Sequence, residues 1–160
     1  MNIQRVLTLP VDLLYIVAQT CLYTDIRRYV VLSIDAPPSQ APESLLDVPF
    51  SALVRDKDEV TLVVSQEAWA QYRGTLTVRE VSPVYRLITF DVPLDFEVVG
   101  YLAVLAALLG EAEVSILTIS SFSRDHIFVK DGDFGRAWKV LSDFIGACRE
   151  RVATVYTDVG

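Results

Sequence analysis

Apolar side chains recur at helical spacing after Glu97: Val98, Leu102, Leu105 and Leu109 fall at i, i+4, i+7 and i+11. This predicts a helix over Glu97–Leu109, with Asp95 as its N-cap and Gly110 just past its end. A second helix is predicted over Asp133–Gly146, where Phe134, Trp138, Leu141 and Ile145 share a face. Shorter β-branched runs predict strands at Arg28–Ile34, Phe50–Arg55, Glu59–Val64, Thr75–Val81, Val84–Val92, Glu113–Ser120, His126–Lys130 and Arg151–Thr157. Asp56-Lys57-Asp58 joins the second and third of these as a hairpin, and Gln66–Tyr72 is a short helix ended by Gly74. The prolines of Ala36–Pro42 predict a loop, followed by a helical turn over Pro42–Leu46.

The N-terminal segment predicts a strand over Ile3–Leu9, then an apolar helix from Val11 to Tyr23 capped by Asp12. Asp12 and Gln19 interrupt its apolar run, so a helix packed on the domain is expected rather than a secretory leader. It is also shorter than the about 20 apolar residues that a membrane span requires.

From Val84 onward the order is β-α-β-β-α-β, the ferredoxin-like arrangement. The earlier half repeats it more weakly. The expectation is an α+β chain of two ferredoxin-like (βαββαβ) modules in tandem. Residues 1–82 form the first, with an N-terminal strand-helix extension, and residues 83–160 form the second.

Composition narrows the functional classes. The chain has 160 residues and a formal charge of −7. That balance opposes a nucleic-acid surface, which needs basic residues to displace counterions, and it opposes binding to anionic lipid. Cys21 and Cys148 show no metal spacing and are expected to be buried free thiols in a reducing cytoplasm. Phosphate-loop, dinucleotide, zinc-protease and EF-hand motifs are absent from the sequence. The single histidine, His126, has no nucleophile arranged around it, so neither catalysis nor a cofactor or metal is expected. Trp69 and Trp138 are expected in the core.

Two segments carry chemistry. One is Pro93-Leu94-Asp95-Phe96 with Gly100. The other is Ile116, Ile119, Ser120, Phe122 and Asp125, with Ser121 contributing a hydroxyl. In this order they resemble the ACT domains of the CASTOR type, tandem modules related to the regulatory domains of aspartate kinases. Arg124 and His126 depart from that pattern. The resemblance implies a free amino acid bound at an ACT–ACT interface, within the chain or in a homodimer, by a sensor or regulatory subunit that does no chemistry itself. The implied ligand-binding residues are Asp95, Phe96, Glu97, Val98, Gly100, Ser121, Phe122 and Asp125.

Elementary chemistry is compatible with this reading. A helix N-terminus presents unpaired N–H groups to a carboxylate, and Asp125 offers a charge-assisted partner to an ammonium. The carboxylates of Asp95, Glu97 and Asp125 further suggest arginine or another cationic amino acid. The alternative is a scaffold that meets a regulated partner protein through the same sheet edges and has lost its ligand.

Overall fold

The computed structural model describes residues 3–35 and 50–157. The chain divides into two compact units, Asp25–Leu87 and a second made of Met1–Thr24 with Ile88–Gly160. Division at Ser82 assigns residues 3–24 to the N-terminal half; in the structure they group with the unit that holds residues 88–157.

The helices and strands are α1 (Ile3–Thr8), α2 (Val11–Gln19), β1 (Cys21–Tyr23), β2 (Tyr29–Ile34), β3 (Ala52–Arg55), β4 (Val60–Ser65), α3 (Gln66–Tyr72), β5 (Val78–Val81), β6 (Tyr85–Asp91), α4 (Tyr101–Glu111), β7 (Ile116–Ser120), β8 (Asp125–Lys130) and α5 (Phe134–Thr157). A single 3₁₀ turn, Asp131–Asp133, leads into α5.

In the Asp25–Leu87 unit, β2 is flanked by β4 and β5, and β3 pairs with the far side of β4, all antiparallel. This gives the order β5-β2-β4-β3, the strand arrangement of a ferredoxin-like module. The predicted loop and helical turn between Ala36 and Leu46 lie outside the described residues. The predicted hairpin forms because Asp56 Oδ1 accepts the backbone N–H groups of Asp58 and Glu59 at 2.7 and 2.8 Å. Ser65 caps α3 by accepting from the Ala68 N–H at 3.1 Å. Val30, Leu32, Ile34, Leu62, Val64 and Ala68 form this unit's core, with Trp69 partly buried beside it.

The other unit runs β6-α4-β7-β8-α5, with strand order β1-β6-β8-β7. Its fourth strand comes from the beginning of the chain. β1 lies antiparallel to β6, with Cys21 opposite Asp91 and Tyr23 opposite Thr89. Both modules therefore belong to the expected α+β, ferredoxin-like class. Ile88, Phe90, Ile127 and Val129 alternate toward Leu105, Leu109, Leu141 and Phe144 of α4 and α5, forming the larger core with Trp138 partly buried at its margin.

Three N-terminal and C-terminal expectations need correction. Ile3–Leu9 is not a strand: Ile3–Thr8 forms α1, which buries Val6 and ties Arg5 to Glu111 of α4 at 2.5 Å. The predicted Val11–Tyr23 helix stops at Gln19 and is preceded by Pro10, with no side-chain cap. Its final carbonyls meet Arg149, which donates to Ala18 O at 2.9 Å and Thr20 O at 2.7 Å. Arg151–Thr157 continues α5 instead of forming a strand.

Candidate functional site

The Pro93–Gly100 loop connects β6 to α4, and the Ser121–Arg124 turn connects β7 to β8. One backbone bond joins them: Leu94 N–H donates to Ser123 O at 2.9 Å. The turn closes on itself through Ser121 N–H and Arg124 O at 2.9 Å. Between loop, turn and the first residues of α4 lies an open cavity of about 300 Å³.

Leu94, Asp95, Phe96, Val98, Gly100, the first residues of α4 and all of Ser120–Asp125 line this cavity. Of the sequence candidates it thus gathers Asp95, Phe96, Val98, Gly100, Ser121, Phe122 and Asp125. Glu97 is not part of the wall. Arg124, which the sequence marked only as a departure from the family pattern, is.

The helix expected from Glu97 begins at Tyr101, and Asp95 does not cap it. Gly100 holds the N-cap position at φ 86°, in the left-handed region, with no side-chain cap. Asp95 instead accepts the Val98 N–H through its backbone carbonyl at 3.0 Å and leaves its carboxylate exposed. Gly110 lies inside the helix, which ends at Glu111 with Ala112 as its C-cap, followed by Glu113 at φ 56°.

The polar side chains are tied into the turn. Asp125 Oδ1 accepts from Ser120 Oγ at 2.5 Å. Arg124 Nε donates to Asp91 Oδ1 at 2.6 Å. Ser121 Oγ donates to Arg124 O at 3.2 Å and lies 3.2 Å from His126 Nε2. His126 Nδ1 lies 2.9 Å from Thr89 Oγ1. Because the Ser121 hydroxyl is spent on a carbonyl, the consistent tautomer has Nε2–H donating to Ser121 and Thr89 donating to Nδ1. Burial holds this imidazole below its ordinary pKa; Asp125 opposes the shift and Arg124 adds to it. His126 is thus a neutral, largely buried strut beneath the turn.

The cavity rim is apolar. Phe96 and Phe122 meet edge to face, with centroids 5.2 Å apart. Among the described residues no group of three His, Cys, Asp or Glu is placed to hold a metal ion. Cys148 is buried, as expected, but Cys21 is exposed on β1.

Residues 80–143 match the ACT domain family. The matched segment contains both cavity-forming loops. A Vibrio cholerae protein of unknown function, named as a possible transport protein, is 28% identical, with a TM-score of 0.68 over 84% of this chain and 96% of its own. An Agrobacterium tumefaciens protein is 22% identical, with a TM-score of 0.62 over 78% of this chain and 87% of its own. The regulatory subunit of aspartate kinase from Thermus thermophilus shares the fold at 10% identity, with a TM-score of 0.53 over 76% of this chain and 95% of its own. No curated protein matches the chain.

Proposed function

We propose that the chain binds a free amino acid in the ACT-segment cavity and acts as a sensor or regulatory subunit without catalysis of its own. The observation that carries this reading is the cavity itself. It joins residues from two separate loops within the segment matched by the ACT family. Its wall carries the first turn of α4 and Arg124, either of which can take a carboxylate, and Asp125 for an ammonium. The CASTOR-type pattern of the two loops, a homodimer formed through sheet edges and a cytoplasmic setting are parts of the same proposal. No helix among the described residues is long and apolar enough to cross a membrane.

A cationic ligand has narrower support than the three carboxylates suggested. Glu97 is off the wall and Arg124 is on it.

The test is a thermal-shift screen of the twenty amino acids. A ligand that binds only the folded state adds about 2.7 kcal/mol at a hundred times its Kd, which raises Tm by several degrees for a chain of this size. At least one amino acid is expected to do so. A flat result across all twenty at millimolar concentration would leave the scaffold alternative in its place.

A further inference from the structure

We propose that Arg124 anchors the ligand's α-carboxylate and that the Phe96–Phe122 rim receives an uncharged, apolar side chain. The proposal rests on the amino-acid reading above and names the ligand class.

Arg124 follows the tip of the turn and contributes to the cavity wall. Asp91 engages its Nε, and Ser123 Oγ lies at 3.5 Å from Nη1. Nη2 has no hydrogen-bond partner among the described residues. A guanidinium carries five N–H donors in a planar fork, so one carboxylate on Nε leaves the other edge able to take a second. The Asp91 pair fixes the guanidinium while leaving the Arg124 side chain 42% exposed. Asp125 stands next to it on the same wall, so the two supply opposite charges for the two ends of a zwitterion.

The rim selects the side chain. Phe96 and Phe122 are 80% and 82% exposed. The two touching rings form one exposed apolar patch, and covering it is favourable through removal of apolar surface from water. A cationic side chain entering here finds no dedicated carboxylate at the rim, since Asp91 is engaged by Arg124 and Asp125 is assigned to the ammonium. Its attraction to an exposed aromatic face or to the solvated Asp95 is small.

Calorimetry on the full chain tests both halves of the proposal. Leucine or phenylalanine is expected to bind roughly tenfold or more tighter than arginine and lysine. Removing the carboxylate, by using isopentylamine or 2-phenylethylamine, is expected to cost the parent roughly tenfold or more. In Arg124→Gln that cost should shrink to about threefold or less, with Arg124→Lys between the two. Circular dichroism verifies that each variant is folded. An unchanged carboxylate cost in folded Arg124→Gln overturns the anchor. Arginine or lysine binding as tightly as leucine and phenylalanine overturns the ligand class while amino-acid binding stands. Binding of none of the twenty amino acids overturns the underlying reading as well.

Discussion

The hydroxyls of Thr20 and Tyr101 meet at 2.8 Å in the buried interior. Thr20 follows the last residue of α2, and Tyr101 opens α4 at the cavity wall. The bond therefore fastens the N-terminal segment to the helix that begins the candidate site. Thr20 Oγ1 also donates to Ile16 O at 3.1 Å, so Tyr101 is the donor in the shared bond. Burial pushes the Tyr101 phenol well above its ordinary pKa, despite the Thr20 bond, and Asp125 adds to the rise.

This donor assignment predicts an asymmetry. Tyr101→Phe leaves Thr20 its bond to Ile16 and should cost about 1 kcal/mol. Thr20→Val strands the buried Tyr101 hydroxyl and should cost about 1–3 kcal/mol. Urea unfolding of the two variants measures the difference. Equal losses, or a larger loss for Tyr101→Phe, would reverse the donor assignment.

Gly100 supplies a second stability test. Its φ of 86° is strained for a residue with a Cβ, although an added Cβ would meet Leu13 Cδ2 only at an ordinary 3.7 Å. The loss in Gly100→Ala should therefore be conformational, roughly 1–2 kcal/mol. Gly100→Asn should lose less, because its short polar side chain tolerates this region. Chemical denaturation giving an alanine variant as stable as the parent would remove the strain argument.

These two sites also separate what the sequence disclosed from what it concealed. The β7–β8 hairpin and α3 are legible because β-branched runs and the Gly74 stop agree with the fold there. The α5 extension was legible in principle: Ile145, Cys148 and Val152 continue its helical spacing into the core. The β-branched run Arg151–Thr157 nevertheless predicts a strand. The origin of the fourth strand was hidden, because the pairing of β1 with β6 joins residues about seventy positions apart and has no local signature. The start of α4 was hidden for a related reason. Asp95 is a plausible cap locally, but the bond from Leu94 to Ser123 holds that loop against the turn, and the helix begins after Gly100. Arg124 stood in the right segment, yet only the tertiary placement of Asp91 reveals what holds it at the cavity.

Acidification should weaken the fold through His126. Its folded-state pKa lies below the ordinary 6.5, so the unfolded chain takes up the proton first as pH falls. The stability contributed by the neutral ring is complete above 6.5. It is lost as pH drops from there through the depressed folded-state value. Protonation would also require Thr89 to stop donating to Nδ1. The Tm difference between pH 7.5 and pH 5.5 should be smaller in His126→Gln than in the parent. The same difference in both would assign the acid sensitivity to other groups.

The thiols should separate cleanly by reactivity. Cys21 is exposed, whereas burial pushes Cys148 up to about 11. A thiol reagent at neutral pH should modify Cys21 rapidly in the folded protein and Cys148 only after denaturation. Prompt modification of both, or retention of the fast phase in Cys21→Ser, would contradict this arrangement.

Asp125 gives the direct test of the ammonium partner. Its carboxylate accepts from Ser120 Oγ, while the adjoining turn closes through backbone atoms of Ser121 and Arg124 that a side-chain truncation leaves in place. Asp125→Ala should therefore stay folded, with a stability loss of about 1 kcal/mol or less for one exposed hydrogen bond. Its affinity for the amino acid identified by the screen should fall much further, by about 1.5–3 kcal/mol or roughly ten- to a hundredfold, because a charged partner is removed. Ser120→Ala is the control: it breaks the same hydrogen bond but keeps the carboxylate, so its affinity should stay within about threefold of the parent. A folded Asp125→Ala protein that binds as tightly as the parent would remove Asp125 from the site. Matching losses in both variants would show that the Ser120 bond, rather than the charge, supports binding.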